Sequence, residues 1–409
     1  MNFDRGISEK VAGSGPALSR GTTQNGVRLY NERLVLSLIR LHGQLPKAEI
    51  ARLTKLSAQT VSVIVRQLEK DNLLVQGQKQ RGKVGQPLTP FTLNPNGAFA
   101  IGLKVGRRSG DLILLDLAGQ VRKIVRQPYH FPSPTEFLAF AERGLNELLA
   151  DLPVSMRKRI AGLGIAAPFE LWNWEEEVGA PREVLQAWRG FDLMGEVAKL
   201  CDYPVFPCND ATAACAAELL FGQGQNSRDF AYFYVGYFIG GGLVLNGSLY
   251  QGRTANAGAL GSIPVPRLNG GAEQLIRSAS LYTLEQALRQ NNIPQHLLWD
   301  DSANWDFAGQ FLDDWIKRAA RGIAHACATI ASITECAEIV IDGAMPPEVR
   351  ARLVTATEQA LADVNQSGIT PFTLREGAIG RDARALGAAS LPLFANFIID
   401  RDVLFKEVS

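Results

Sequence analysis

The chain has 409 residues, 46% of them apolar and 20% charged, with a net charge of +1, a length that suits two or three domains and a sizeable core. It holds no apolar run long enough to cross a bilayer, and Asp4 and Glu9 stand where a signal peptide would be basic and then apolar, so a soluble cytoplasmic protein is expected. Its five cysteines, Cys201, Cys208, Cys215, Cys327 and Cys336, form no CxxC pair, which argues against a disulfide framework or a zinc ribbon and for buried thiols.

The small net charge conceals an asymmetry. Residues 1–96 hold 14 Lys and Arg against six Asp and Glu, a balance of +8, and the remainder carries −7. A basic front on an acidic rear points to a polyanion-binding module attached to a scaffold with another task.

The Gly- and Ser-rich first residues lack periodicity and read as a mobile arm over 1–24, with structure expected from about Tyr30. In "NERLVLSLIRLHG", Leu34, Val35, Leu38 and Leu41 recur at helical spacing and Gly43 supplies a stop. "LPKAEIARLTKL" predicts a second helix, with Pro46 in its first turn and a polar break at Thr54 and Lys55. In "SAQTVSVIVRQLEKDNLL", Ser57 is an N-cap, and Val61, Ile64, Val65 and Leu68 form the buried stripe of a third.

Two short helices joined by a tight turn and braced by a first make a helix-turn-helix, whose second member reaches base edges with its exposed N-terminal residues. Here these are Gln59, Thr60, Ser62, Val63 and Arg66, with Lys47 and Ser57 beside them. Gln can bond adenine through two groups, Arg can pair with guanine or phosphate, and Val63 can touch a thymine methyl. Two strands, Leu74 to Gly77 and Leu88 to Leu93, enclose a loop carrying Lys79, Arg81 and Lys83, which reads as a wing. Arg81 and Lys83 are expected to follow phosphates or a minor groove. A protein-docking module with a solvated basic loop competes, but spacing, polar face, wing and charge all agree on double-stranded operator DNA.

After "NPNG" the pattern becomes strands alternating with long helices. "AFAIGLKVG", "DLILLDL" and "VRKIVRQ" predict three strands, Thr135 to Leu152 a helix, and "RIAGLGIAAP" a buried strand. A similar strand-rich opening returns at "FAYFYVGYFIGGGLVLNGSLYQG", where three consecutive glycines follow Tyr237 and Phe238 and raise the question of a phosphate cradle. Duplicated α/β lobes around a cleft are expected.

The order and spacing of "LSAQTVS", "AIGLKVG", "GLGIAAP", "VFPCNDATAACAAE", "VGYFIGGGLVLNGSLYQG", "NAGALGSIPV", "AEIVIDGAM" and "GRDARALGAAS" resemble the ROK family of bacterial sugar kinases and sugar-responsive repressors. The resemblance implies an α+β winged helix-turn-helix over 25–94 and an actin-like, hexokinase-like α/β domain. Its first lobe would span 97–212 plus 384–409, its second 213–383, with sugar in the cleft and, in active kinases, ATP beside it.

Family kinases open the first hairpin with Asp-x-Gly-Gly-Thr, whereas "KVGRRS" puts Lys104 in the acidic place and Arg107 and Arg108 in the turn. The second phosphate turn, Gly-Thr-Gly-x-Gly in kinases, is "GYFIGG" here, with Tyr237 and Phe238 in place of small residues. Phosphoryl transfer depends on positioning and electrostatics, so no catalysis is expected. Asn209 and Asp210 match the family's sugar-holding Asn-Asp, although the pair also suits a helix cap. In "AGALGS", Ala259 replaces the family's sugar-binding Glu and Ser262 its zinc-binding His, so neither zinc nor another cofactor is expected. Trp172, Trp174 and Trp188 lie where the family lines the cleft, and sugar stacking competes with core packing for Trp188. Arg107 and Arg108 read as a solvated hairpin tip or an anion site.

The resulting expectation is a DNA-binding regulator of repressor type, a homodimer or homotetramer, with a sugar or sugar derivative as its effector. An active carbohydrate kinase carrying a DNA-binding head and a regulator with a ligand-independent oligomerisation domain are the alternatives.

Overall fold

A computed structural model describes residues 24–78, 89–168, 172, 181–223, 227–267, 270–300 and 303–399. The head begins with α1 (Gln24–His42), which starts six residues before Tyr30. That first turn leaves Val27 exposed among polar residues and buries only Gly26. Gly43 then leaves the helix with φ +74°. Two residues, Leu45–Pro46, form β1, and α2 (Lys47–Thr54) ends at Lys55 in the left-handed region, the break expected from sequence. In α3 (Ala58–Lys70) the Ser57 Oγ accepts the Thr60 N–H at 3.0 Å, while Val61, Ile64, Val65 and Leu68 are buried against Val35, Leu36, Ile39 and Ile50. Short strands β2 (Leu74–Gln76) and β3 (Pro90–Leu93) complete a sheet in the order β1-β3-β2. Lys79, Arg81 and Lys83, the wing cations, lie outside the described residues.

The rear is built twice on one plan. The first sheet joins β4 (Phe99–Val105), β5 (Ser109–Asp116), β6 (Val121–Pro128), β7 (Ile160–Ala167) and β8 (Val205–Asn209) in the order β6-β5-β4-β7-β8, with α4 (Pro134–Ala150) packed on it. After α5 (Asp210–Phe221) come β9 (Phe230–Val235), β10 (Ile239–Leu245), β11 (Ser248–Tyr250), α6 (Leu281–Gln290) and α7 (Gly309–Thr334). The strand β12 (Glu338–Gly343), the helix α8 (Pro347–Leu361) and the strand β13 (Thr373–Glu376) complete a second sheet in the order β11-β10-β9-β12-β13. In both sheets an antiparallel meander is followed by two parallel strands, as duplicated α/β lobes require.

The last described helix, α9 (Ala383–Phe397), returns to the first sheet. Gly102 on β4 and Gly164 on β7 let it lie directly on the strands, since a Cβ at Gly164 would come within 1.8 Å of the Ala388 carbonyl oxygen. Helix α5 sits on the second sheet in the same manner. A Cβ at Gly240 would meet that of Ala211 at 2.8 Å, and one at Gly242 would meet that of Cys215 at 2.5 Å. Glu218, fully buried on α5, adds a 2.6 Å ion pair to Arg375 of β13 and accepts the Ala378 N–H at 3.1 Å.

The two helices meet along a seam of small residues, where a Cβ on Gly387 of α9 would stand 1.7 Å from the carbonyl oxygen of Ala213 on α5. Backbone against backbone leaves no flexible side chain to give way. Gly387→Ala is expected to cost ~3 kcal/mol or more, beyond the usual overpacking range, read from the urea midpoint at constant m. A cost below ~1 kcal/mol would mean that the helices separate easily.

Candidate nucleic-acid interface and interlobe site

The recognition helix presents the face that the sequence anticipates. Gln59 and Arg66 are exposed and Val63 is 61% exposed, while Ser62 is half-buried at the margin. Ser57 and Thr60 are partly engaged with each other: beyond the cap, their hydroxyls lie 2.8 Å apart. Lys47 reaches across the start of α2 to sit 5.2 Å from the centroid of the Phe91 ring, which braces helix against sheet. A groove lined by Gln24, Val27, Arg28 and Asn31 of α1 and by Gln59, Thr60 and Val63 runs beside this face.

Between the lobes, the two turns expected to handle phosphate in a kinase are filled by their own side chains. In the β9–β10 turn, the carbonyl of Gly236 accepts the Leu281 N–H and that of Tyr237 accepts the Tyr282 N–H, each at 3.1 Å. The first amides of α6 are thereby committed to protein carbonyls. Helix N-termini are ready anion sites only while such amides are open. Tyr237 and Phe238 are buried with ring centroids 5.1 Å apart and pack with Tyr282 and Trp299 against the core of the first lobe. Burial pushes the Tyr237 hydroxyl up to about 12.

Arg107 and Arg108, at the tip of the β4–β5 hairpin, cover these rings. The Arg107 guanidinium lies 4.2 Å from the Phe238 centroid and that of Arg108 lies 4.7 Å from the Tyr237 centroid. Arg108 also pairs with Glu285 of α6 at 2.5 Å, and the Trp299 indole N–H donates to the same carboxylate at 2.6 Å. The expectation of a solvated hairpin tip is therefore corrected, because the tip is a cation–π and ion-pair contact between lobes. Its partners stand 129 to 177 residues away in sequence, out of reach of local patterns.

Lys104, in the place of the family's acidic residue, is buried against Asp111 at 2.5 Å and Ser109 at 2.9 Å. Arg126 bonds the other oxygen of Asp111 at 3.0 Å and continues to Asp382. Burial draws the Lys104 ammonium down to about 8, against the pull of Asp111, whereas Lys104 and Arg126 hold the Asp111 carboxyl below its ordinary value despite burial.

Asn209 caps α5, its Oδ1 accepting the Ala211 and Thr212 N–H groups at 3.0 and 3.3 Å, so the capping role weighed from sequence is present. Asp210, the first residue of α5, pairs at 3.1 Å with Arg384 in the first turn of α9. Arg384 is also stacked 4.9 Å from the Tyr234 centroid. Sequence reasoning passed over Arg384, although one arginine in the small-residue run "ARALGAAS" was a signal that it has a partner. Ala259 and Ser262 are exposed around a 3-10 turn at Leu260–Ser262. Trp188 is 1% exposed, edge-on to Phe137 and Phe191, and donates its indole N–H to the Pro132 carbonyl at 3.0 Å. It is a core side chain with no open face, which corrects the reading of Trp188 as a ligand contact. Trp174 lies outside the described residues. Cys208, Cys215, Cys327 and Cys336 are buried and Cys201 is half-buried, with burial pushing the Cys208 thiol up to about 12.

A family model described as ROK family matches residues 100–393, and one described as winged helix-turn-helix DNA-binding matches residues 28–75. The chain belongs to the ROK family. The uncharacterized protein y4fQ of Sinorhizobium fredii is 24% identical over 90% of this chain and 91% of its own. The xylose repressor of Bacillus subtilis is 25% identical over 59% of this chain and 62% of its own. The DNA-binding transcriptional dual regulator NagC of Escherichia coli is 24% identical over 59% of each, so this chain spans less than two thirds of either regulator. Among solved structures, a ROK family transcriptional regulator, homolog of the E. coli MLC protein, has a TM-score of 0.63 at 20% identity, covering 93% of this chain and 100% of that one. A ROK family glucokinase from Streptomyces griseus, in complex with glucose and AMPPNP, has a TM-score of 0.55 at 20% identity, covering 72% and 99%. Both show a shared fold. No described helix is long and apolar enough to cross a membrane.

The depressed Lys104 fixes a pH signature. Between its folded value, about 8, and its ordinary 10.5, the unfolded chain binds more protons than the folded one, so stability attributable to Lys104 rises with pH across that window. The difference in unfolding free energy between wild type and Lys104→Met should therefore climb from pH 8 to 10.5. A difference that is flat or falls would mean that the pull of Asp111 outweighs burial at Lys104.

Proposed function

We propose that this chain is a DNA-binding transcriptional repressor whose ROK domain is catalytically inactive and senses a sugar or sugar derivative. The observation that carries the reading is a recognition helix with an open Gln59, Val63 and Arg66 face, joined to a ROK domain whose phosphate turns are filled by Tyr237, Phe238 and the two hairpin arginines. The names of the relatives, a xylose repressor and NagC, agree with it. The protein acts in the cytoplasm as a homodimer or homotetramer, since one helix-turn-helix reads a half-site and two-fold symmetry doubles the contact. The effector sits at the N-terminus of α5, with Asp210 as acceptor and Ala259 and Ser262 at its margin. Their small side chains replace the acid and imidazole of family kinases and favour a ligand other than a glucose-like one.

Duplexes selected from a random pool supply the test. Gln59→Ala with Arg66→Ala should reduce discrimination among sites by about 1–3 kcal/mol for each base pairing removed. Arg81→Ala and Lys83→Ala should weaken all duplexes alike and lower the salt slope by about one for each phosphate no longer neutralised. If neither pair alters DNA binding, the head has been misread. A panel of sugars and sugar phosphates, scored by duplex affinity and thermal shift, should contain one that stabilises the protein and releases DNA.

The inactive reading has its own assay. Mg-ATP is expected to leave the melting temperature unchanged and to give no sugar phosphorylation. Metal-dependent turnover abolished by Asp210→Asn would establish a kinase instead.

A further inference from the structure

Three features place the head where it can feel both lobes. Helix α5 belongs mechanically to the second sheet, through Gly240, Gly242 and Glu218, whereas α9 belongs to the first, through Gly102 and Gly164. The helices run parallel, because Asp210 and Arg384 join them at their N-terminal ends and Ala213 meets Gly387 one turn on. At their C-terminal ends both are held by the same helix of the head. Arg40 of α1 donates to the Leu220 carbonyl of α5 at 3.0 Å, and Arg33 of α1 donates to the Ala395 carbonyl of α9 at 2.8 Å. The Ile399 N–H donates to Ser37 Oγ at 3.1 Å, and Phe397 packs against the core of the head and against the core that the two lobes share. A small cavity lined by Leu36, Leu93, Leu220, Phe221, Leu393 and Phe397 lies in this joint, and burial there pulls the Arg40 guanidinium down to about 10.

We propose that α5 and α9 form a two-ended clasp, in which a ligand that takes Asp210 from Arg384 opens the cleft end and α1, straddling the far end, turns that change into a new aim for the recognition helix. The proposal rests on the effector reading above and names its regulation. Arg384 holds Oδ2 of Asp210 at 3.1 Å, so a ligand hydroxyl that takes this oxygen does so at the expense of the pair. Releasing the pair frees one lobe to move against the other along the seam. At 1.5 Å per residue, the rise from Asp210 to Leu220 and from Arg384 to Ala395 carries that movement ~15 and ~16 Å along the two helices. Carbonyls of two different lobes then shift relative to each other beneath Arg40 and Arg33, seven residues and about two turns apart on α1. A rigid helix bonded at two such points must tilt or lose one bond, and it packs directly on α3.

Hydrogen exchange on the full-length protein tests the clasp without a known ligand. Asp210→Asn keeps the side-chain shape and removes the charge. It should speed exchange of the amides in residues 33–42 by about fivefold or more, the lower end of ordinary allosteric coupling. Arg384→Gln should do the same, and Arg384→Lys should restore most of the protection. In an Arg33→Gln, Arg40→Gln background, exchange over the same residues should start high and no longer respond to Asp210→Asn. An unchanged α1 in Asp210→Asn, or an equal response in the double-arginine background, overturns the clasp. The sugar panel separates this from the effector reading. If no sugar shifts the melting temperature while Asp210→Asn still loosens α1, the effector falls and the clasp stands. If a sugar binds and leaves α1 unmoved, the clasp falls and the effector stands.

Discussion

The contact on which the rest of the molecule depends is the seam between α5 and α9. Two alanine-rich helices approach until backbone meets backbone at Ala213 and Gly387, closer than larger side chains at the contact would allow. That proximity brings Asp210 within reach of Arg384, because each stands in the first turn of its own helix. It also sets the separation of Leu220 from Ala395, the two carbonyls to which α1 is bonded. Helices of low amphipathicity are unusual on a surface but natural here, since α5 is enclosed by a sheet on one side and by α9 on another.

Burying charge in such a place is unfavourable unless each ion finds its complement. The cations Lys104, Arg126 and Arg384 are matched by Asp111, Asp382 and Asp210, and Arg108 by Glu285. Lys104 is thus one member of a self-neutralised lattice with Asp111, Arg126 and Asp382. An incoming nucleotide would have to displace Arg107 and Arg108 from aromatic faces and break the Arg108–Glu285 pair. It would also find the first amides of α6 already bonded.

Local periodicity made most of the fold legible. The stripe Val61, Ile64, Val65 and Leu68 fixed the recognition helix and its exposed face, and Ser57 capped it as its chemistry predicts. The doubled strand pattern anticipated two sheets of one topology. The start of α1 was hidden because its first turn buries almost nothing, so no apolar stripe announces it. The site was far less legible. Arg107, Arg108 and Arg384 act on partners more than a hundred residues distant, and nothing in "KVGRRS" says whether its arginines meet water or aromatic rings. Trp188 illustrates the reverse error: an indole in a polar stretch resembles a sugar platform until its N–H is seen bonded to Pro132 and its ring enclosed.

The glycines of "VGYFIGGGLVLNG" gain a different meaning from the one their spacing suggests. In a phosphate cradle, glycine lets backbone approach a ligand. Here Gly240 and Gly242 point to one face of β10, as period-two alternation demands, and what approaches them is α5, through Ala211 and Cys215. Gly241 faces the other way, against Leu260. The triplet is thus explained by helix-on-strand contact, a need that persists whether or not a nucleotide is ever bound. The turn residues Tyr237 and Phe238 meet no such demand and pack instead with Tyr282 and Trp299 against the core of the first lobe. Small residues thus stand where α5 meets the strand, and large ones where the turn meets Arg107 and Arg108.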